Sequence, residues 1–368
     1  MKILAIETSC DETAASIVEI KNSRLEILSN IVASQIKIHA NYGGIVPEIA
    51  ARKHAENIIL VIDEALRHLK NPHKSAFSEI DAIAVTQGPG LITSLRIGVD
   101  AARTLSYAWG KPLIPVNHIV AHIYANWLTT KFLPQRGITR PVGGQFPILC
   151  LVVSGGHTML ILMKGHGKFE IIGQTLDDAA GECFDKVAKI LKLGYPGGPA
   201  IAERAANSKS QIPNSKIKLP RPMINSNDFN FSFSGLKTAV LYKVRNMKSA
   251  LYGVSAAGAR RSESASTFIT QMAYETQNAI VDVLISKTIK AAKKYNVKTI
   301  MLGGGVAANK ELRKRMEETI KKELPKTLYS APDIALCSDN AAMVAVAAYF
   351  NPKKISWRSI EADPNLSI

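Results

Sequence analysis

The chain has 368 residues, 46% of them hydrophobic, which is enough for two domains with separate cores. Its 46 Lys and Arg against 30 Asp and Glu leave a formal charge of +16, so a polyanionic partner, nucleic acid first, is expected. No apolar stretch reaches membrane-spanning length, Met1-Lys2-Ile3-Leu4 reads as a strand rather than a signal peptide, and Cys10, Cys150, Cys183 and Cys337 form no CxxC pair; the expectation is a cytoplasmic protein with reduced thiols and neither a membrane anchor nor a disulfide framework.

Lys2 to Ser9 reads as a buried strand, Thr13 to Glu19 as a second after a polar turn holding Asp11 and Glu12, and Leu25 to Ser34 as a third. Pro47 is placed to open a helix at its first position, with Ile58, Ile62, Ala65 and Leu69 on one face. Ile80 to Thr86 is the next strand, ending in Gly88-Pro89-Gly90, and a helix through Arg96 and Arg103 follows. Leu113 to Val116 then feeds a helix that Asn117 is suited to cap and that carries His118 and His122. Histidines four residues apart stand on one helix face, one turn from each other. They are either half of a metal site or two ordinary polar or core histidines, and the spacing alone leaves both open.

Gly137 to Gln145, rich in Gly and Pro, is a candidate boundary, and the pattern then restarts. Phe146 to Ser154, Thr158 to Lys164 and Phe169 to Gln174 read as strands, Asp177 to Leu191 and Thr267 to Tyr295 as helices, and Val297 to Leu302 as a strand ending in Gly303-Gly304-Gly305. A helix over Glu311 to Leu324, a strand near Thr327 to Ser330 and a final helix from Asp339 complete it. Three strands followed by helices and strands in alternation is a ribonuclease-H-like order, and it occurs twice. The expected fold class is therefore α/β, with duplicated ribonuclease-H-like domains of the actin, Hsp70 and sugar-kinase type and an interdomain cleft. Residues 1–140 plus 338–368 form the first expected domain, with the histidine pair, and 141–337 the second, with the glycine-rich loops and a basic insertion.

Ser154-Gly155-Gly156-His157-Thr158 turns between two strands, where glycines let backbone N–H groups approach a phosphate. Gly303-Gly304-Gly305, followed by Asn309, has the same logic at a strand-to-helix junction, and Tyr195-Pro196-Gly197-Gly198-Pro199 reads as a rigid turn. Three such loops in one duplicated fold point to a nucleotide-like ligand. Asp178, Glu182 and Asp185 are expected to share a helix face beside Lys186. Asp339, ahead of an apolar helix, is either an N-cap or the carboxylate of a two-histidine, one-carboxylate metal site. A zinc-protease reading of His118 and His122 needs a Glu after the first histidine, and Ile119 stands there instead.

Between Ala205 and Ser262 there are ten Lys and Arg against one acid, Asp228, so this segment carries about nine of the sixteen excess charges. It is either a surface for RNA phosphates or a solvated basic loop.

Taken together, these segments closely resemble the tRNA N6-adenosine threonylcarbamoyltransferase (TsaD) family, from Ile6-Glu7-Thr8-Ser9-Cys10-Asp11-Glu12-Thr13 to Cys337-Ser338-Asp339-Asn340-Ala341-Ala342-Met343. Tyr42-Gly43-Gly44-Ile45-Val46-Pro47-Glu48, the histidine pair, the Val153 to Thr158 hairpin and Tyr195 to Pro199 lie between, and Phe231 to Thr238 is similar to the bacterial and mitochondrial branch. Ala307 departs from the Ser of many bacterial members, and Ala202 from an acid in some. The resemblance implies that His118, His122 and Asp339 bind one divalent metal ion, iron first and zinc or magnesium as alternatives. It implies that Val152, Val153, Ser154, Gly155, Gly156, Asp185, Gly198 and Asn309 hold threonylcarbamoyl-adenylate, and that tRNA is the acceptor. A TsaB-like paralogue and a TsaE-like ATPase are the implied partners. Asp11 and Glu12 are the candidates for a base or water-orienting group. An actin-fold sugar kinase or ATPase would share the phosphate loops without needing the His118–Asp339 triad, and a non-catalytic nucleotide-binding scaffold would lack the histidine pair.

Overall fold

The computed structural model describes residues 1–22, 24–69, 76–128, 144–206, 217–252 and 258–368, without the side chains of 76, 248–252 and 258–264. The first sheet holds β1 (Lys2–Glu7), β2 (Glu12–Lys21), β3 (Arg24–Ser34), β4 (Ala82–Gly88) and β5 (Leu113–Asn117), ordered β3-β2-β1-β4-β5. The second holds β6 (Ile148–Val153), β7 (Thr158–Gly165), β8 (Lys168–Gln174), β9 (Thr299–Gly303) and β10 (Leu328–Ser330), ordered β10-β9-β6-β7-β8. In both, the first three strands pair antiparallel and the later two join parallel on the far side of the first. The expected duplication is therefore present strand for strand.

The helices are α1 (Ile36–Ala40), α2 (Pro47–Leu66), α3 (Ala76–Glu79), α4 (Ile92–Trp109), α5 (His118–Tyr124), α6 (Ala180–Leu191), α7 (Gly197–Ala206), α8 (Ser234–Tyr252), α9 (Gly258–Lys294), α10 (Lys310–Glu323) and α11 (Ala341–Phe350). Alternate residues of the central strands enter different cores, so the strands read as unbroken apolar runs. In β1, Leu4 and Ile6 pack with α2 and α4, whereas Ile3 and Ala5 face a central core that also takes Cys150 and Val152 of β6. That central core is filled by α5 and α11. Residues 341–348 of α11 are all buried, which is why Ala341-Ala342-Met343-Val344-Ala345-Val346-Ala347-Ala348 lacks a polar face.

Several boundaries differ from expectation. α6 begins at Ala180, because Asp177 serves another element: it accepts from Ser232 Oγ, Phe233 N and both Ser234 N and Oγ at the entry to α8. α9 begins at Gly258 rather than Thr267, α2 stops at Leu66 short of Leu69, and the Tyr195–Pro199 turn opens a helix that the punctuation concealed. The 140/141 boundary and most of Gly137–Gln145 lie outside the described residues, as do 207–216, 253–257 and the side chains at 248–252 and 258–264 of the basic segment.

Candidate metal centre and adenylate loops

Parallel pairing of β4 with β5 carries the chain to Asn117, whose Oδ1 accepts from Ile119 N at 2.9 Å and Val120 N at 3.2 Å. The cap, worth about 1 kcal/mol, starts α5 at His118 and so fixes where both rings emerge. The rings stand edge to face with centroids 4.6 Å apart. Asp339 Oδ1 lies 3.1 Å from His122 Nε2 and 3.6 Å from His118 Nε2. The two sequence readings of Asp339 are separated here: Asn340, not Asp339, caps α11, accepting from Met343 N at 3.1 Å, and Asp339 is left free to face the histidines.

One donor atom from each of His118, His122 and Asp339 lies within 4.8 Å of the others. Neither ring nitrogen of His122, a residue 1% exposed, meets full hydrogen-bond geometry with a partner among the described residues, although Nε2 stands 3.1 Å from Asp339 Oδ1. A buried unsatisfied imidazole is costly, and a cation in place of the missing donor resolves it. Two imidazoles and one carboxylate suit a divalent transition metal. The residues present therefore fit a divalent ion.

His118 is oriented by a residue not singled out from the sequence. Its Nδ1 lies 3.2 Å from Glu7 Oε2 and 3.1 Å from Ser9 Oγ. Burial alone would raise the Glu7 carboxyl, but the charge and hydrogen bond of His118 hold it below the ordinary value, so it is an acceptor and Nδ1 carries the hydrogen. Nε2 is thereby turned toward Asp339. Burial also opposes charge on His118, yet Asp339 and Glu7 outweigh it and raise the ring to about 9, while the two histidines bring Asp339 down to about 2 against its burial. The sequence did hold a signal: Glu7 follows four consecutive apolar residues, Ile3 to Ile6, on a buried strand. Glu7→Gln is expected to lower divalent-metal affinity by about 10–100-fold, measured by titration of the metal-free protein; wild-type affinity would remove Glu7 from the site.

Asp11 ends the β1–β2 turn and Glu12, expected in that turn, is the first residue of β2; both are buried. Burial, reinforced by Asp339 and Asp11, pushes Glu12 up to about 10, so at neutral pH the free protein holds it as the acid. The folded state thus binds this proton more tightly than the unfolded chain, whose value is 4.5. Ionisation then favours the unfolded chain as pH rises from about 4.5 to about 10. Glu12→Gln is accordingly expected to gain stability over wild type as pH rises through that window, read by urea melts at pH 5 and pH 8; equal gaps at the two pH values would refute it.

Ser154 N donates to His157 O at 2.8 Å, so of the three amides at Ser154 to Gly156 that one is already used within the turn. A Cβ at Gly155, Gly156, Gly198 or Gly305 would meet no protein atom within 4 Å. Packing does not explain those glycines, and open space above them suits a ligand. Gly303 and Gly304 are different: a Cβ would lie 2.9 Å from His122 O at the first and 2.4 Å from Val153 O at the second. They form the joint where β9 meets both the histidine helix and the hairpin. Val152 and Val153 are strand residues whose side chains enter the central and outer cores respectively.

Of the three acids expected on one face, Asp178 precedes α6 while Glu182 and Asp185 lie on it, and Asp185 has a partner of its own. Its Oδ1 accepts from Gly197 N at 2.6 Å, whereas Lys186 bridges Asp178 at 2.7 Å and Glu182 at 2.8 Å. Burial raises Asp185 to about 6, and the nearby Asp11 charge adds to the shift. Asn309 is engaged twice, capping α10 through Leu312 N at 3.0 Å and donating to Gln277 Oε1 at 3.0 Å. Burial holds His157, quoted only as part of a motif, down at about 4, and the nearby His118 and His122 lower it further.

Duplicated five-stranded sheets with polar loops gathered between them define an α/β protein of the actin and sugar-kinase type. The chain aligns over 95% of its length with HypF from T. kodakarensis at a TM-score of 0.54 and 14% identity, while spanning 47% of that chain. Residues 26–346 match the family TsaD, tRNA N6-adenosine threonylcarbamoyltransferase. A protein of that name from Syntrophomonas wolfei is 50% identical over 366 residues, 99% of this chain and 97% of its own. Another from Bacillus subtilis is 49% identical over 347 residues, 94% of this chain and 89% of its own. The chain belongs to the tRNA N6-adenosine threonylcarbamoyltransferase family, and it is an acyltransferase of tRNA modification. Among the described residues no helix is long and apolar enough to cross a membrane.

Proposed function

We propose that the chain transfers the threonylcarbamoyl group of threonylcarbamoyl-adenylate to N6 of adenosine 37, 3′ of the anticodon, in tRNAs reading ANN codons, releasing AMP. The observation that carries this reading is the convergence of His118, His122 and Asp339 beside the Ser154–Thr158 hairpin in a family member. N6 forms a bond to the carbamoyl carbon, the bond from that carbon to the phosphate oxygen breaks, AMP leaves with the electron pair, and N6 loses a proton. His118, His122 and Asp339 hold a divalent ion, iron by preference over zinc or magnesium, which when bound supplies Lewis-acid polarisation to the substrate.

The chain's own groups do the remaining work. Gly155 and Gly156 offer amides to the AMP phosphate, and Gly198 and Gly305 leave room for the nucleotide. Val152, Val153, Asp185 and Asn309 shape the loops around it through their backbone and capping bonds. Glu12, an acid in the free protein, can serve as a base only once nearby positive charge offsets its burial and the charges of Asp339 and Asp11; Asp11 is the alternative proton acceptor or water-orienting group. The domains are residues 1–140 with 338–368, and 141–337. The basic segment 205–262 meets RNA phosphates, and a TsaB-like paralogue and a TsaE-like ATPase assist in the cytoplasm.

The test is incubation with threonylcarbamoyl-adenylate and unmodified tRNA, with and without such partners, followed by nucleoside analysis, and elemental analysis of protein purified without chelators. N6-threonylcarbamoyladenosine is expected; none in any combination would reject the proposal.

A further inference from the structure

Arg313 lies one turn into α10, and among the described residues its side chain meets three acceptors, none a carboxylate. Nε donates to Ala307 O, Nη2 donates to Pro332 O, and Nη2 also lies 2.9 Å from Cys337 Sγ. Ala307 belongs to the turn that follows the Gly303–Gly304 joint, where Gly304 abuts Val153 at the root of the hairpin. Pro332 and Cys337 bracket the short segment that delivers Asp339. Cys337 Sγ in turn faces Asp333 O at 3.5 Å, and Asn340 fastens the same segment through Leu336 O and Ser338 O.

One planar guanidinium thus bridges two loops whose Ala307 and Cys337 also share one hydrophobic core, and its fork geometry sets their separation. We propose that Arg313 is a positioning residue that orders the Gly303–Asn309 turn and the Asp339 segment as one unit, so that the adenylate loop and the metal centre are pre-organised together. The inference rests on the reading of those loops given above. Ordering one loop then lowers the cost of ordering the other, and by linkage each ligand raises affinity for its counterpart.

The experiment uses the full chain, metal-free, titrated with Co²⁺ followed by its visible spectrum and with AMP followed by calorimetry, each in the absence and presence of the other. Wild type is expected to bind Co²⁺ several-fold more tightly with AMP present, within the usual range of site-to-site coupling. In Arg313→Met, Co²⁺ and AMP affinities should each fall about tenfold or more, as for loss of an outer-shell partner, and the enhancement should drop to about one. Arg313→Lys, which keeps the charge and at most part of the fork, should recover part of the coupling, and it carries the test if the Met variant does not fold. Persistence of wild-type coupling in either folded variant overturns the role of Arg313. A wild-type chain that binds neither Co²⁺ nor AMP overturns the reading of the site itself, and the proposal with it. A general loss of stability would lower both affinities without abolishing the coupling, so the coupling is the deciding readout.

Discussion

Asp339→Asn is expected to strip the protein of its bound divalent ion and to reduce threonylcarbamoyl transfer by more than about 100-fold, beyond the range seen for outer-shell partners of metal sites. The substitution is nearly isosteric, so packing around α11 is kept, and Asn340 still caps that helix through Met343. What is lost is the negative charge that lies 3.1 Å from His122 Nε2 and 3.6 Å from His118 Nε2. Two neutral imidazoles and an amide hold a divalent ion poorly, since the carboxylate supplies the only anionic donor of the three. Elemental analysis and nucleoside analysis read the two effects, and chelation of the wild type should reproduce the loss of activity. A variant with full metal content and wild-type rate would show that Asp339 is not a ligand.

Gly304→Val should be the most destabilising single change near the site. The residue has φ +84, which costs a β-branched side chain about 1–3 kcal/mol. Its Cβ would also lie 2.4 Å from Val153 O and 2.8 Å from Val153 C. Those are backbone atoms of β6, hydrogen-bonded to β7 on one side and β9 on the other, so neither can give way cheaply. The combined loss is expected at about 3–5 kcal/mol, a large part of the 5–15 kcal/mol that holds an ordinary domain together. Urea denaturation measures it. Gly305→Ala is the control: without positive φ and without a neighbour within 4 Å, it should change stability by less than about 0.5 kcal/mol. A Gly304 variant as stable as that control would mean the joint is looser than its geometry indicates.

Much of this was legible in the chain itself. The restart of a strand-strand-strand pattern at Phe146 announced the duplication, because buried strands and punctuating turns are local signals. Asn117 before His118-x-x-x-His122 announced a capped helix with two rings on one face, and the structure has that cap. Asp339 was legible only as an alternative between cap and ligand. Two adjacent residues, Asp339 and Asn340, can each cap a helix, and nothing local says which will; the choice follows from where the histidines stand. Asp177 was misplaced for the same reason, since an acid before a helix looks like its first turn until Ser232 and Ser234 claim it.

The amino-acid sequence by itself therefore determined the order of the strands, the histidine spacing and the glycine-bearing turns, all set by interactions within a few residues, whereas α7 and α8 were not read from it. Tertiary structure alone decided that Glu7 orients His118 across 111 residues of chain, that Asp339 reaches both rings, and that Arg313 spans two loops. Such pairings depend on which buried polar groups remain unsatisfied after the sheets pack, and no local period in the sequence encodes that.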